Sequence, residues 1–254
     1  MRLIVIPTYN ERKNIGELLA LIYQQAAALH VLIVDDNSPD GTGEVVRELM
    51  QTRYAGRLFL LARPGKLGLG SAYIAGFKWA LAREYQYILE MDADFSHNPH
   101  YLQQLLAAAE YSDLVLGSRY VPGGGITDWS ILRRLISLGG SLYARTILGL
   151  PFKDLTGGYK CFRREVLNSI DLDDVRSNGY SFQIEMTYRA FLQSFTIREV
   201  PIIFAERAAG KSKMSRRIFL EAVWMVWQLR AGKSRLKAAG GQAIIRPETN
   251  LTHP

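Results

Sequence analysis

The sequence predicts a single α/β domain with a mostly parallel sheet flanked by helices. Short aliphatic runs alternate with helical patterns through the first half of the 254 residues, and this alternation is typical of βαβ units. The run Val31-Leu32-Ile33-Val34 is continuously apolar, as expected of a strand that helices cover on both faces. Hydrophobic residues make up 48% of the chain, which is enough to build a large core.

The individual elements are predicted in chain order from this periodicity. In the first half, strands are expected at residues 2–6, 30–35, 57–62, 87–91 and 113–117, with helices at 11–28, 41–53, 70–83 and 99–110. In the second half, helices are expected at residues 129–150, 180–193 and 216–230, with a strand at 196–204. No linker divides these elements, so residues 1–215 are predicted to form one domain. Residues 216–230 then form a C-terminal apolar helix, and residues 231–254 a basic polar tail that we expect to be flexible.

The positive charge of the chain is concentrated near its C-terminus. The formal net charge is +7, yet residues 1–204 contain 21 basic and 21 acidic side chains, whereas residues 205–246 contain 10 and 2. This pattern indicates a phosphate, a membrane surface or nucleic acid as a local partner, or else a solvated basic tail. A nucleic-acid-binding module would carry basic and aromatic residues interleaved across one face. Because residues 1–204 are neutral, we expect no nucleic-acid partner.

The cysteine content and the apolar runs of the sequence indicate the cellular compartment of the protein. Cys161 is the only cysteine, which excludes an intrachain disulfide and fits a reducing compartment. The longest run without charges, residues 18–34, contains two glutamines and a histidine, so it is not predicted to span a membrane. The apolar run at residues 3–6 is too short for the core of a signal peptide. We therefore expect a cytoplasmic protein.

Four of the first five predicted strands end in polar loops. These loops begin at Pro7, Asp35, Asp92 and Ser118. The carboxyl ends of parallel strands share one edge of a sheet, where ligands bind in such folds, so the loops should converge. Several carboxylates gathered at one crevice repel each other, so stability alone does not explain them.

Asp92 and Asp94 form the most specific pair in these loops. Residues i and i+2 of an extended segment point to the same side, so the two carboxylates can hold one divalent cation, with water and phosphate oxygens completing its shell. The alternative is a purely structural turn, since Ser96 or Asn98 can cap a helix that starts near Pro99.

The glycine-rich segment at residues 66–73 hints at a dinucleotide-binding fingerprint. Tyr73, however, occupies the position of the third glycine, and the segment follows the third predicted strand and not the first. Both departures argue against a nicotinamide cofactor. Gly210-Lys211-Ser212 and Gly232-Lys233-Ser234 both lack the earlier glycine of a phosphate-binding P-loop.

Taken together, these segments resemble the GT-A glycosyltransferases of family 2, and more closely the dolichyl- or polyprenyl-phosphate mannose synthases. The resemblance extends from about residue 3 to residue 217. Its motifs are Pro-Thr-Tyr-Asn-Glu at 7–11, Asp-Asp-Asn-Ser-Pro-Asp-Gly-Thr at 35–42, Lys-Leu-Gly-Leu-Gly-Ser-Ala-Tyr at 66–73, Met-Asp-Ala-Asp-Phe-Ser-His at 91–97, Gly-Ser-Arg-Tyr at 117–120, Asp-Leu-Thr-Gly-Gly-Tyr at 154–159, and Arg-x5-Lys-Met-Ser at 207–215.

The resemblance implies a GT-A catalytic domain with a site for GDP-mannose. It assigns a guanosine pocket to Pro7, Tyr9, Glu11, Val34 and Asp36. It assigns the metal and sugar-nucleotide site to Asp92, the Ala93 carbonyl and Asp94, with Ser96 as an additional ligand of Mg²⁺ or Mn²⁺. It also places Arg207 and Lys213 on the donor diphosphate.

On the acceptor side, the resemblance implies a polyprenyl monophosphate that receives mannose with inversion. Arg119 and Arg133, helped by Ser137, are expected to clamp the lipid phosphate; Arg133 and Ser137 are four residues apart and so share one helix face. Because a phosphate monoester is already ionised near neutral pH, no strong general base is required. The alternatives are transfer from UDP-glucose or another sugar nucleotide to a polyprenyl phosphate or a glycan, and a relative that binds nucleotide without catalysis.

The C-terminal helix has two interpretations. It can lie on the cytoplasmic face of a membrane, with Lys233, Arg235 and Lys237 on anionic headgroups, which would make the protein peripheral. Alternatively, it packs on the domain and buries Trp224 and Trp227 in the core.

Overall fold

The main sheet contains seven strands. The computed structural model describes residues 1–127, 129–205 and 216–240, with side-chain surroundings for 1–127, 129–205 and 223–237. The spatial order is β3-β2-β1-β4-β7-β5-β8, and every neighbouring pair is parallel except those of β7, which is antiparallel to both β4 and β5. The strands are β1 (Arg2–Thr8), β2 (His30–Asp35), β3 (Leu58–Ala62), β4 (Tyr87–Glu90), β5 (Leu114–Ser118), β6 (Gly125–Ile126), β7 (Lys160–Arg163), β8 (Ile197–Pro201) and β9 (Ile203–Phe204). Strands β6 and β9 form a separate parallel pair.

Helices follow the strands as the alternating sequence pattern predicts. They are α1 (Arg12–Gln25), α2 (Thr42–Thr52), α3 (Leu69–Leu81), α4 (Leu102–Ala109), α5 (Ile131–Leu148), α6 (Arg164–Asn168), α7 (Tyr180–Leu192), α8 (Arg216–Ala231) and α9 (Lys233–Gly240), with a 3-10 turn at Pro99–Tyr101 before α4. In the parts of the chain that the structure describes, none of these helices has the length and apolar character needed to span a bilayer.

Two hydrophobic layers cover the two faces of the sheet. In β1, Ile4 and Ile6 pack into one layer, with residues of α1, α2 and α4, whereas Leu3 and Val5 pack into the other, with residues of α3, α6 and α7. Successive side chains of a strand point to opposite faces, so burial on both faces accounts for the continuous apolar runs. Gly76 lets α3 approach this surface, because a Cβ there would lie 2.3 Å from Cγ1 of Val5.

The structure confirms the predicted mostly parallel sheet flanked by helices but adds an antiparallel strand. Strand β7 was not predicted because its four residues begin and end with a basic side chain, Lys160 and Arg163, and lack an apolar run. Lys160 is nevertheless buried, and its ammonium group donates to the Gln183 carbonyl at 2.6 Å and to Oγ1 of Thr187 at 2.9 Å. The predicted strand at 196–204 is two short strands, interrupted at residue 202.

The C-terminal helix packs on the domain, yet its tryptophans are not in the core. Val226 and Leu229 are buried with residues of α5 and α7, while Trp224 and Trp227 are 65% and 54% exposed. Within the predicted tail, Lys233–Gly240 forms α9, and the flexibility of residues 231–254 stays a prediction. Leu236 packs α9 into the same apolar cluster. This contact is hard to predict from the sequence, because the residues around Leu236 are mostly basic and polar. Residues 241–254 lie outside the described part of the chain.

Candidate active site

Three of the four polar loops that were predicted to converge, those after β1, β2 and β4, meet at the carboxyl edge of the sheet, whereas the loop after β5 does not line the same cleft. These three loops form one cleft, whose lining is Pro7, Thr8, Tyr9, Glu11, Asp36, Lys66, Gly68, Leu69, Ala72, Asp92, Ala93 and Asp94. Seven of the residues assigned to the donor site are therefore in one place. Val34 is not among them, because its side chain points into the core, although it is paired with Pro7 across the sheet.

At one end of the cleft, two basic residues accompany Tyr9 and Asp36. The Lys66 ammonium lies 4.0 Å from the centroid of the Tyr9 ring. Asp36 is buried and accepts from Arg63 through both oxygens, at 2.6 Å from Nε and 3.0 Å from Nη2. Neither Arg63 nor Lys66 was assigned to the site from the sequence, although both follow β3 at the same edge.

At the other end, hydrogen bonds fix the turn that carries the two aspartates. The Asp92 carboxylate accepts from the Tyr73 hydroxyl at 3.1 Å, and its backbone N–H donates to Nδ1 of His97 at 3.0 Å. Oδ1 of Asp94 accepts from the backbone N–H of Ser96 at 3.1 Å and from its hydroxyl at 2.5 Å. Ser96 is buried and is not part of the cleft lining. Ser96 therefore donates to Asp94 from the buried side, away from the cleft.

This end of the cleft is suited to a hard divalent cation. Asp92 and Asp94 line the same cleft, and carboxylate oxygens are preferred ligands of Mg²⁺. Among the described residues, no group of three or more His, Cys, Asp and Glu side chains is arranged to hold a metal ion. A cation bound here would take two carboxylates and complete its shell with water and phosphate oxygens, which is common for Mg²⁺.

A buried polar pair lies directly behind this turn. Glu90, the last residue of β4, is paired with Lys160 of β7, and both side chains are buried. Burial raises the pKa of Glu90 to about 7 and lowers the pKa of Lys160 to about 8, while the attraction between the two opposes both shifts. Two buried ionisable side chains, Glu90 and Lys160, therefore lie next to the end of β4 from which the loop with the two aspartates begins.

Arg119, assigned to the acceptor phosphate, lies just beyond β5 and is 4% exposed. Its Nε and Nη2 each donate to Asp154 at 2.6 Å, and Nη2 also donates to Oγ1 of Thr156 at 2.7 Å. Burial alone would raise the pKa of Asp154, but Arg119 and the hydrogen bonds hold it below its ordinary value. Asp154 thus fixes the orientation of the Arg119 guanidinium.

Aromatic rings bring the other acceptor residues close to Arg119. The guanidinium carbons of Arg119 and Arg133 lie 5.6 Å and 4.0 Å from the centroid of the Trp129 ring. The Tyr120 hydroxyl and Oγ of Ser137 are hydrogen-bonded at 2.8 Å. The structure therefore gathers the three predicted residues into one arginine cluster, consisting of Arg119, Arg133 and Ser137 around Tyr120 and Trp129.

Phe204 connects the arginine cluster with the aspartate turn. Its ring centroid lies 5.4 Å from that of His97 and 5.3 Å from the guanidinium carbon of Arg119. No local pattern marks Trp129 or Phe204 as part of a site, because Trp129 follows a glycine-rich loop and Phe204 ends a short strand. Arg207 and Lys213 lie outside the described residues.

Comparisons with known proteins agree with this geometry. The model of glycosyl transferase family 2 matches residues 3–171. The chain is 45% identical over 238 residues to polyprenol monophosphomannose synthase of Mycolicibacterium smegmatis, covering 92% of this chain and 89% of that protein. It is 47% identical over 243 residues to undecaprenyl-phosphate mannosyltransferase of Micrococcus luteus, covering 94% and 98%.

Solved structures with the same fold are more distant in sequence. Glucosyl-3-phosphoglycerate synthase of Mycobacterium tuberculosis, in complex with Mn²⁺, UDP and glucosyl-3-phosphoglycerate, superposes with a TM-score of 0.60 at 16% identity, covering 98% of this chain and 81% of that one. Residues 1–349 of Staphylococcus aureus TarS, in complex with UDP-GlcNAc, give a TM-score of 0.60 at 20% identity, covering 94% and 71%. The predicted fold and family are confirmed: the chain is a glycosyltransferase of GT-A fold and belongs to glycosyl transferase family 2.

Proposed function

We propose that the protein transfers mannose from GDP-mannose to the phosphate of a polyprenyl monophosphate, yielding polyprenyl-phosphate mannose and GDP. The observation that carries the proposal is the adjacency of two different sites at one sheet edge. A cleft lined by carboxylates lies near a cluster that contains two arginines. Phe204 links them, because its ring lies against Arg119 and against His97, which accepts from the backbone of Asp92. The names of the two relatives at 45% and 47% identity support a mannosyl donor and a polyprenyl-phosphate acceptor.

The cleft is assigned to the donor. Tyr9 and Lys66 offer a ring face and a cation at one end, which suits a nucleobase and its phosphates. Asp92 and Asp94 at the other end repel a diphosphate unless a cation lies between them, so their presence favours a metal-bound donor. We assign Mg²⁺ or Mn²⁺ to these two carboxylates, where it would neutralise charge that develops on the departing diphosphate. Arg207 and Lys213 are proposed to contribute further positive charge to the same group.

The arginine cluster is assigned to the acceptor phosphate. Arginine presents a planar set of donors that matches phosphate oxygens, and Asp154 fixes one of these guanidinium groups in orientation. An oxygen of the lipid phosphate forms the new bond to the anomeric carbon of mannose. The bond from that carbon to the donor diphosphate breaks, and GDP leaves with the electron pair. This single displacement inverts the anomeric configuration, and the principal task of the chain is to align two anions.

A membrane-facing surface is proposed beside the acceptor site. Helix α5 carries Arg133 and Ser137 and also exposes a row of large apolar side chains, namely Ile131, Leu132, Leu135, Ile136, Leu138 and Leu142. Helix α8 packs against α5 and exposes Trp224 and Trp227. Lys233, Arg235 and Lys237 follow on α9 and are exposed. Apolar and tryptophan side chains flanked by basic residues are typical of helices that lie in the membrane interface.

These surfaces would place the protein at the cytoplasmic face of a membrane as a peripheral enzyme. A lipid acceptor anchored in the bilayer could then present its phosphate to Arg119 and Arg133 without leaving the membrane.

A donor panel tests the proposed reaction. The purified protein is incubated with a polyprenyl phosphate and, separately, with radiolabelled GDP-mannose, UDP-glucose and UDP-GlcNAc, and lipid-linked sugar is extracted and counted. We expect label in the lipid phase from GDP-mannose only. Transfer from a UDP-sugar and none from GDP-mannose would contradict the donor assignment while keeping the protein within its family.

A further inference from the structure

Tyr73 is a fully buried side chain of α3 that the proposed reaction does not use. Its ring stacks on Phe182 at a centroid distance of 5.8 Å and an interplanar angle of 6°. Its hydroxyl donates to Oδ1 of Asp92 at 3.1 Å. In the sequence it is the residue that breaks the dinucleotide fingerprint, so a side chain stands where that motif requires a glycine.

A second buried group holds Asp92 from another direction. His97 is buried, and its Nδ1 accepts the backbone N–H of Asp92 at 3.0 Å. The His97 ring stacks on Tyr159 with a centroid distance of 4.9 Å. Nδ1 of His97 also lies 4.0 Å from Oδ2 of Asp92. The loop that follows β4 therefore fixes the backbone of Asp92, and α3 supplies the Tyr73 hydrogen bond to its carboxylate.

We propose that Tyr73 is a positioning residue that orients the Asp92 carboxylate for cation binding in the donor cleft. This inference rests on the metal-binding role proposed for Asp92. A buried tyrosine hydroxyl needs a hydrogen-bond partner, and here that partner is a carboxylate that lines the cleft. Groups that hydrogen-bond to metal ligands fix the ligand orientation and commonly affect metal affinity.

The packing of Tyr73 keeps its hydroxyl directed at Asp92. A tyrosine hydroxyl is protonated at neutral pH, so it donates a hydrogen bond to the aspartate oxygen and carries no negative charge of its own. Two rings stack on Tyr73, that of Phe182 from α7 and that of Phe77 one turn along α3 at 6.1 Å, and they restrict movement of the ring that carries the hydroxyl.

The test compares two tyrosine-to-phenylalanine variants of the full chain. Tyr73→Phe removes the hydroxyl and keeps the ring. Tyr85→Phe is the matched control, because Tyr85 is also buried and its hydroxyl is hydrogen-bonded to Nδ1 of His30 at 2.8 Å, at the amino edge of the sheet. Two quantities are measured: the Kd of Mn²⁺ with saturating GDP, by electron paramagnetic resonance, and the Kd of GDP in EDTA, by calorimetry.

We expect Tyr73→Phe to weaken Mn²⁺ binding about tenfold, because Asp92 loses a hydrogen bond that orients it. The Kd of GDP in EDTA should stay within about twofold of wild type, because only one hydrogen bond to a single carboxylate is lost. Tyr85→Phe should change neither. An unchanged Mn²⁺ affinity in Tyr73→Phe would overturn the positioning role, as would an equal loss of GDP binding in EDTA, which would indicate general damage to the cleft. No Mn²⁺ binding by the wild-type protein would instead overturn the metal role proposed for Asp92 itself.

Discussion

The donor cleft and the arginine cluster occupy the same edge of one sheet but are built from opposite charges. The donor cleft is lined by Glu11, Asp36, Asp92 and Asp94, although the donor is an anion. The arginine cluster contains cations of its own, with Arg119 held by a buried aspartate and the Arg133 guanidinium over the Trp129 ring. A site lined by carboxylates binds a diphosphate more tightly when a cation lies between them, whereas the cluster can take a phosphate without one. Metal removal should therefore weaken the binding of the nucleotide sugar, and arginine substitution should weaken the binding of the lipid phosphate.

The largest expected loss of activity is that of the donor-site variant Asp94→Asn. This change keeps the shape of the side chain but removes the charge that we assign to metal binding. Mannose transfer should fall by about a hundredfold or more, since even groups that only support metal ligands commonly affect activity 10- to 100-fold. Radiolabel transfer measures the loss, and an unchanged melting temperature shows that the fold is intact. Activity within a fewfold of wild type would remove Asp94 from the site.

The arginine cluster depends on Asp154 for its stability. Asp154→Ala leaves the buried Arg119 guanidinium without its carboxylate, and breaking a buried pair in this way costs about 3–5 kcal/mol. Urea unfolding measures the free energy of unfolding. A loss below about 1 kcal/mol, the range of exposed ion pairs, would contradict the buried pairing seen here.

The same pair predicts a pH dependence of stability. The pKa of Asp154 is lower in the folded chain than its ordinary value, so the folded state favours the ionised carboxylate. Its contribution is present above the unfolded pKa of about 4 and is lost as the pH falls through the lower folded pKa. Unfolding free energies measured from pH 6 down into the acid range should decline less steeply in Asp154→Ala than in the wild type. Equal slopes would argue against the shift.

Arg133→Ala separates the two substrates. Removing one charge-assisted contact to phosphate should raise the KM for polyprenyl phosphate about tenfold, while the Kd of GDP with Mn²⁺ stays within about twofold, because Arg133 belongs to the cluster and not to the cleft lining. Steady-state kinetics and calorimetry measure the two quantities. Arg145→Ala, in the last turn of the same helix, serves as the control. Equal losses in both quantities would contradict the acceptor assignment.

The smallest effect is expected on the apolar face of α5. Replacing Leu135 and Leu142, both 60% exposed, with serine should weaken binding to anionic vesicles about fivefold, because only part of each side chain would enter the interface. Tyr111→Ser is the control, since Tyr111 is exposed but precedes β5 at the other edge of the sheet. Co-sedimentation measures vesicle binding. If the control and the double variant bind equally, α5 does not face the membrane.

The donor cleft was more predictable from the sequence than the arginine cluster, for a physical reason. Strands β1, β2 and β4 each contain a continuous apolar run, so the loops after them can be placed at one edge before any contact is known. The Arg119–Asp154 pair joins residues 35 positions apart, and Asp154 lies in the loop before β7, a strand whose basic ends hide it in the sequence. Nothing local marks such a pair in the sequence.

Aromatic contacts escaped prediction for a related reason. Trp129 was expected to begin a helix, yet α5 starts at Ile131 after the cap Ser130, and the tryptophan contacts the arginines from the preceding loop. Tyr73 was noted only as a departure from a glycine motif. Its contact with Asp92 depends on how closely α3 packs on the sheet, which the sequence does not encode locally.

The division of this sheet edge into two sites is tested most directly by mannose transfer from GDP-mannose to a polyprenyl phosphate. Transfer is measured with Mg²⁺ or Mn²⁺ and again in EDTA. The non-phosphorylated polyprenol serves as a parallel acceptor. We expect labelled lipid only when both the cation and the lipid phosphate are present. Full transfer in EDTA, or transfer to the polyprenol equal to that to its phosphate, would contradict the division of this edge into a cation-dependent donor cleft and a phosphate-binding arginine cluster.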